Sequence, residues 1–236
     1  MLCRAFRRAP ILAILALPSL AHAQAYQCRV PSTVAVPHVR PDGPQRKMPV
    51  TGYTLALSWS PEFCKPRKSS PAHSTQCSGR NGDFGLIVHG LWPDGRNSWP
   101  QWCANPRRVP PAEVRRNLCM MPSARIQATE WAKHGACMVR TPEAYFKVTR
   151  ILWDGLRKPD LDRLSHDRAL TAGKIRDAFV LANPDWPRSA VGLSINQRGW
   201  LEELRLCYGK NFMPTACNRQ RFGPKDGTNV KIWRGL

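Results

Sequence analysis

Phe84-Gly85-Leu86-Ile87-Val88-His89-Gly90-Leu91-Trp92-Pro93-Asp94 is the stretch around which the rest of the chain can be placed. Its first half is a short apolar run, the pattern of a buried strand, and it predicts a strand over Phe84–Val88 that ends at His89. Upstream, Tyr53-Thr54-Leu55-Ala56-Leu57-Ser58-Trp59 sets its large apolar side chains on alternate positions, as a half-buried strand does. Near the other end, Trp200–Cys207 reads as a further strand. The helical signals lie between these runs. A short helix is expected near Ala112–Leu118, and another over about Ala128–His134, stopped at Gly135 by a left-handed helix end. At Thr141-Pro142-Glu143 a capping threonine precedes proline at the first helical position, and apolar residues then recur at helical spacing to Leu156. Thr171 caps one more helix, running to Leu181. Helices interspersed with strands, without a regular βαβ rhythm, point to an α+β fold.

The ends of the chain carry different information. Arg4, Arg7 and Arg8 precede an apolar stretch from about Ile11 to Leu20, followed by Ala21-His22-Ala23, which reads as a signal peptide over residues 1–23. That run is too short to span a bilayer, and no membrane anchor is expected elsewhere. Residues 24–50 are rich in proline and read as an extended N-terminal segment, leaving 51–236 as a single domain with its own core, the domain in which any catalytic residues would lie. Of nine cysteines, Cys3 leaves with the leader. The others, Cys28, Cys64, Cys77, Cys103, Cys119, Cys137, Cys207 and Cys217, are an even set in an exported chain and read as four disulfides whose pairing stays open. The competing zinc reading finds no Cys-x-x-Cys, His-x-x-x-His or His-Glu-x-x-His spacing. There are 36 Lys+Arg against 16 Asp+Glu, a formal net charge of +20. Such a charge says little about fold and favours polyphosphate partners, with binding that weakens as salt is added.

Two segments carry chemistry. The first is His89-Gly90-Leu91-Trp92-Pro93-Asp94. The second is Glu130-Trp131-Ala132-Lys133-His134-Gly135-Ala136-Cys137, in which Glu130, Lys133 and His134 fall at i, i+3 and i+4 on one helical face. Cleavage of RNA needs such a set. The ribose 2′-hydroxyl is an internal nucleophile beside the phosphorus, so an enzyme must take its proton, give one to the departing 5′-oxygen and offset charge on the phosphorane. Two histidines suit the proton transfers because imidazole titrates near neutrality. A lysine suits the phosphorane charge, and a carboxylate can orient an imidazole. No metal or cofactor is required, and DNA, lacking the 2′-hydroxyl, would bind without reacting.

These blocks resemble the signatures of the ribonuclease T2 family, a strand-ending HGLWP and a helical E-W-x-K-H-G-[TA]-C, matched at His89–Pro93 and Glu130–Cys137. The resemblance spans about residues 50 to 217. It implies an antiparallel central sheet flanked by helices and stapled by disulfides. It also implies His89 and His134 as the acid–base pair, Glu130 and Lys133 as supporting charges, and Trp92 and Asp94 as contacts to the base on the 5′ side of the cut. Cys137 ordinarily pairs with a cysteine between the blocks, here Cys103 or Cys119. Thr129 stands where many members carry a histidine that helps hold phosphate. The expectation is a monomeric endoribonuclease acting on single-stranded RNA through a 2′,3′-cyclic phosphate, exported to the periplasm or beyond. A catalytically silent, cationic RNA-binding protein on the same scaffold is the alternative.

Overall fold

The computed structural model describes residues 28–103 and 107–235. The expected leader, with Cys3, lies outside the described residues. Four strands, β1 (Gly52–Trp59), β2 (Leu86–Asp94), β3 (Val191–Ile195) and β4 (Leu201–Gly209), form one sheet in the order β2-β1-β4-β3, with every neighbour antiparallel. The helices are α1 (Ser60–Cys64), α2 (Ser74–Cys77), α3 (Pro111–Asn117), α4 (Ala124–Lys133), α5 (Pro142–Asp154), α6 (Leu161–Leu164), α7 (Ala172–Ala182) and α8 (Arg219–Phe222). Leu55 and Leu57 of β1 face Leu91 and Val88 of β2 on one side and Leu206 and Leu204 of β4 on the other. With Tyr145 and Phe146 of α5 and Ile175 and Phe179 of α7, they make the core. Thr54, Ala56, Ser58, Glu203 and Arg205 alternate with those residues and therefore share the opposite face of the sheet.

β2 does not end at His89. It runs on through Asp94, because the register slips by one residue there: Val88 pairs with Leu57 and Gly90 with Ala56, so His89 is an extra residue, a β-bulge. The consequence is a change of parity. In a regular strand His89 and Trp92, three positions apart, would point to opposite faces; across the bulge both point away from the core, while Val88 and Leu91 are both fully buried in it. β2 is an edge strand, and its outward backbone groups are satisfied by other elements. Val88 N–H donates to the Met120 carbonyl, and the Tyr145 hydroxyl accepts from Leu91 N–H and donates to the Leu91 carbonyl.

The helices differ from expectation chiefly at their ends. α4 begins four residues earlier than the apolar pattern implied, because the Ser123 hydroxyl accepts from Ile126 N–H and caps it. It does not stop in a left-handed glycine. His134 closes it, Gly135–Cys137 continue as a tight turn, and Gly135 is required by packing: a Cβ there would come within 2.6 Å of the Trp131 ring and 2.8 Å of Tyr145. α3, α5 and α7 form close to the expected positions, the last two capped by Thr141 and Thr171. β3 was not expected, since a five-residue strand interrupted by Gly192 carries little pattern.

The eight cysteines pair as Cys28–Cys119, Cys64–Cys77, Cys103–Cys137 and Cys207–Cys217. Cys137 therefore takes Cys103 of the two partners considered, and Cys119 tethers the N-terminal segment. From Cys28 to Val50 that segment has no helix or strand beyond an isolated bridge between Arg46 and Gln101. At the other end, the fully buried Arg176 donates to the carbonyls of Val191, Phe222 and Pro224 and pairs with Asp226, fastening α8 beside β3.

Candidate active site

The bulge, α4 and α8 together assemble the site. Both imidazoles pack on one indole: the Trp92 ring centroid lies 5.3 Å from that of His89, edge to face, and 5.9 Å from that of His134. The Trp92 N–H donates to Glu130 Oε2 at 2.6 Å, so the helix carboxylate is fixed by a strand residue. Glu130 Oε1 lies 3.7 Å from His89 Nε2, beyond a hydrogen bond. Gly90 makes this approach possible, because a Cβ at that position would collide with Glu130 Oε2 and with the Trp92 nitrogen.

The two histidines sit in opposite electrostatic surroundings. His89 keeps 34% of its side chain exposed, and its Nδ1 is 2.7 Å from Glu203 Oε1. Burial works against its charge and Arg205 opposes it, but the hydrogen bond to Glu203 and the nearby charges of Glu130 and Glu203 prevail and raise its pKa to about 9. His134 is buried, at 7% exposure, and its Nδ1 has no hydrogen-bond partner among the described residues. Burial first, then the positive charges of Lys133, His89 and Arg221, lower its pKa to about 3. Near neutral pH His89 is thus an imidazolium and His134 a neutral imidazole, an acid and a base side by side. Burial raises the pKa of Glu130, although His89, Trp92 and Lys133 all oppose that rise. Glu203 is also buried, yet the hydrogen bond and charge of His89 hold its carboxyl below the usual value.

The remaining expected residues are less central. Lys133 follows Glu130 along the helix, but its ammonium is 2.7 Å from Asp42 Oδ2 in the N-terminal segment, whose other oxygen accepts from the Trp102 indole. Asp94 stands at the end of β2 with both oxygens engaged. Thr54 Oγ1 donates to Oδ2 at 2.5 Å, and Arg221 Nη2 donates to Oδ1 at 2.8 Å. The Arg221 guanidinium also lies 5.1 Å from the centre of the Trp92 ring. Glu203, Arg221 and Asp42 were not singled out by the sequence. Each reaches the site through pairing or loop contacts distant along the chain, and none belongs to either histidine block. From His89 and Glu203 a cleft of about 590 Å³ opens along the sheet, with Ser58, Ile87, Phe63, Arg205 and Arg198 in its walls.

Comparison with known proteins agrees with this architecture. Residues 51–164 match the Ribonuclease T2 family. A probable ribonuclease of Haemophilus influenzae is 31% identical over 186 residues, which is 74% of this chain and 64% of that protein, so the chain spans somewhat under two thirds of its length. A ribonuclease of Aeromonas hydrophila is 39% identical over 85 residues, 36% of each chain. Among solved structures, trichomaglin, described as an S-like ribonuclease, superposes with a TM-score of 0.58 at 20% identity, over 72% of this chain and 92% of that one. An RNase-related protein from Calystegia sepium gives 0.59 at 21% identity, over 77% and 97%. RNase NT in complex with 5′-AMP gives 0.57 at 20% identity, over 78% and 98%. At these identities the structural likeness speaks for the fold. The stretch that carries both histidine blocks thus matches the ribonuclease T2 family.

Proposed function

We propose that this protein is an endoribonuclease that cuts single-stranded RNA by transphosphorylation, with no metal ion in the mechanism. The observation that carries the reading is the pair of imidazoles on the Trp92 indole, held in opposite protonation states. Neutral His134 takes the proton of the ribose 2′-hydroxyl as that oxygen attacks phosphorus. Protonated His89 gives its Nε2 proton to the departing 5′-oxygen, so one P–O bond forms, another breaks, and a 2′,3′-cyclic phosphate remains. Lys133 releases Asp42 to meet the phosphorane oxygens, and Glu130 sets the charge and spacing opposite His89. For the base on the 5′ side of the cut, Trp92 offers the exposed part of its half-buried ring, while Asp94 acts jointly with Arg221. The net charge of +20 draws in the polyanion. Four disulfides suit an exported protein working in the periplasm or outside the cell.

The test is incubation of the purified protein with RNA and with sequence-matched DNA, each with and without EDTA, followed by analysis of product ends. Cleavage of RNA alone, insensitive to chelator and leaving 2′,3′-cyclic phosphate, is the expected outcome. His89→Ala and His134→Ala should each remove most turnover while leaving RNA affinity largely intact. Tight RNA binding without cleavage by the wild-type protein would instead make it a silent RNA-binding member of the family. Chelator-sensitive cutting of both polymers would refute the mechanism.

A further inference from the structure

Glu203 is set in β4 opposite Ser58 of β1, on the sheet face that carries His89, and is 9% exposed. Its two oxygens are divided between two partners. Oε1 meets His89 Nδ1 at 2.7 Å, with the Ser58 hydroxyl a weak second donor at 3.5 Å, and Oε2 accepts from Arg205 Nε at 3.1 Å. Glu130, the carboxylate of the histidine block, does not hold the His89 ring: its nearer oxygen is 3.7 Å from Nε2, and its other oxygen is taken by Trp92.

We infer that Glu203 is a positioning residue for the cleavage reaction, fixing the His89 ring through Nδ1 so that Nε2 is the nitrogen that delivers the proton to the leaving oxygen. This rests on the function proposed above and adds to it the group that makes His89 the acid. A carboxylate on Nδ1 does three things. It stops the ring from turning over, it assigns the exchangeable proton to Nε2, and it stabilises the imidazolium. Nε2, which has no hydrogen-bond partner among the described residues, is then the nitrogen left to donate to a phosphodiester oxygen. Arg205 holds the far oxygen of Glu203 and prevents the carboxylate from swinging away. The ionisable groups that bear on His89 are Glu203 and Arg205 from β4, Glu130 from α4 and His134 at the end of that helix; β1 contributes only the uncharged Ser58. Replacing Glu203 with glutamine keeps the shape and removes the one charge that touches the ring.

The experiment has two arms. In the first, kcat/KM on a dinucleotide is followed across pH for the wild type and for Glu203→Gln. The descending alkaline limb should move to lower pH by about one unit or more, which is roughly a tenfold loss at alkaline pH and only a small one in acid. Glu203→Asp, charged but one methylene short, should fall between. A limb that stays in place, or a loss equal at every pH, overturns the inference. In the second arm, histidine ¹⁵N–¹H NMR of the wild-type protein reads the tautomer of His89 directly and needs no variant to fold. Neutral His89 protonated on Nδ1 supports the inference, and protonation on Nε2 overturns it. Wild-type protein that leaves RNA intact would sink the proposed function, an outcome distinct from a cleaving enzyme whose profile ignores Glu203.

Discussion

Replacing Trp92 with phenylalanine isolates one hydrogen bond on which the site geometry depends. Among the described residues the indole N–H is the one hydrogen-bond donor to the Glu130 carboxylate, and Glu130 is buried at 5% exposure. A hydrogen bond to a buried charged group contributes about 1.5–3 kcal/mol, so Trp92→Phe should lower the free energy of unfolding by about that amount plus a packing loss from the smaller ring. The two parts separate by pH. Burial raises the folded-state pKa of Glu130 above 4.5, so its charged form destabilises the fold at pH values above that raised pKa, and the cost vanishes as pH falls below the unfolded value. Without the indole donor the carboxyl rises further, and the added cost appears only where Glu130 would be ionised. Urea unfolding of both proteins should therefore give a large difference at about pH 8 and a smaller residue, from packing alone, at about pH 4. An equal difference at both pH values would show that the hydrogen bond does not stabilise a charged Glu130, and would refute the electrostatic picture of the site.

The opposed histidines also make a prediction about rate. kcat/KM should rise with pH as His134 loses its proton, through about 3, and fall as His89 loses its own, through about 9. A narrow optimum with both limbs near pH 6.5 would contradict the assignment. His89 leaves a mark on stability too. Its contribution is fully present below its unfolded pKa of 6.5 and is lost as pH climbs through about 9, which His89→Ala should abolish in pH-dependent unfolding. Finally, Asp42→Asn removes the counter-charge of Lys133. The pair is partly exposed, so stability should change by less than about 1 kcal/mol, while KM for RNA falls severalfold at low salt. An unchanged KM at low salt would argue that Lys133 does not meet phosphate.

The candidate site residues were more legible in the sequence than the geometry that brings them together. His89, Glu130, Lys133 and His134 stand in two compact blocks, and local spacing was enough to find them. The alternation in β1 and the threonine caps of α5 and α7 were equally local, and those elements form near the expected positions. What escaped notice depends on register between distant segments. Glu203 looks like an ordinary surface acid in Leu201–Cys207. It becomes a partner of His89 only because β4 lies antiparallel to β1 with Ser58 opposite, and because Glu202 is the extra residue where the β3–β4 register slips. Asp42 arrives on a segment with no periodic pattern, carried there by contacts such as Gln45 to the Trp102 carbonyl. The reading of β2 as a strand ending at His89 failed for a related reason. A polar residue closing an apolar run resembles a strand end, and it takes the pairing partner to reveal a bulge.

That bulge ties together two properties that proteins usually keep apart. If residue 89 were drawn back into regular pairing, every side chain from Leu91 onward would exchange inside for outside. Leu91 would then face solvent and Trp92 would be driven into the core. The protein has no graded path along this strand from its present arrangement to a sound one with the candidate site taken apart. A lineage that tolerated loss of the slip would forfeit the interior and the candidate site in a single step, so selection for mere solubility already guards the alignment that the proposed chemistry needs.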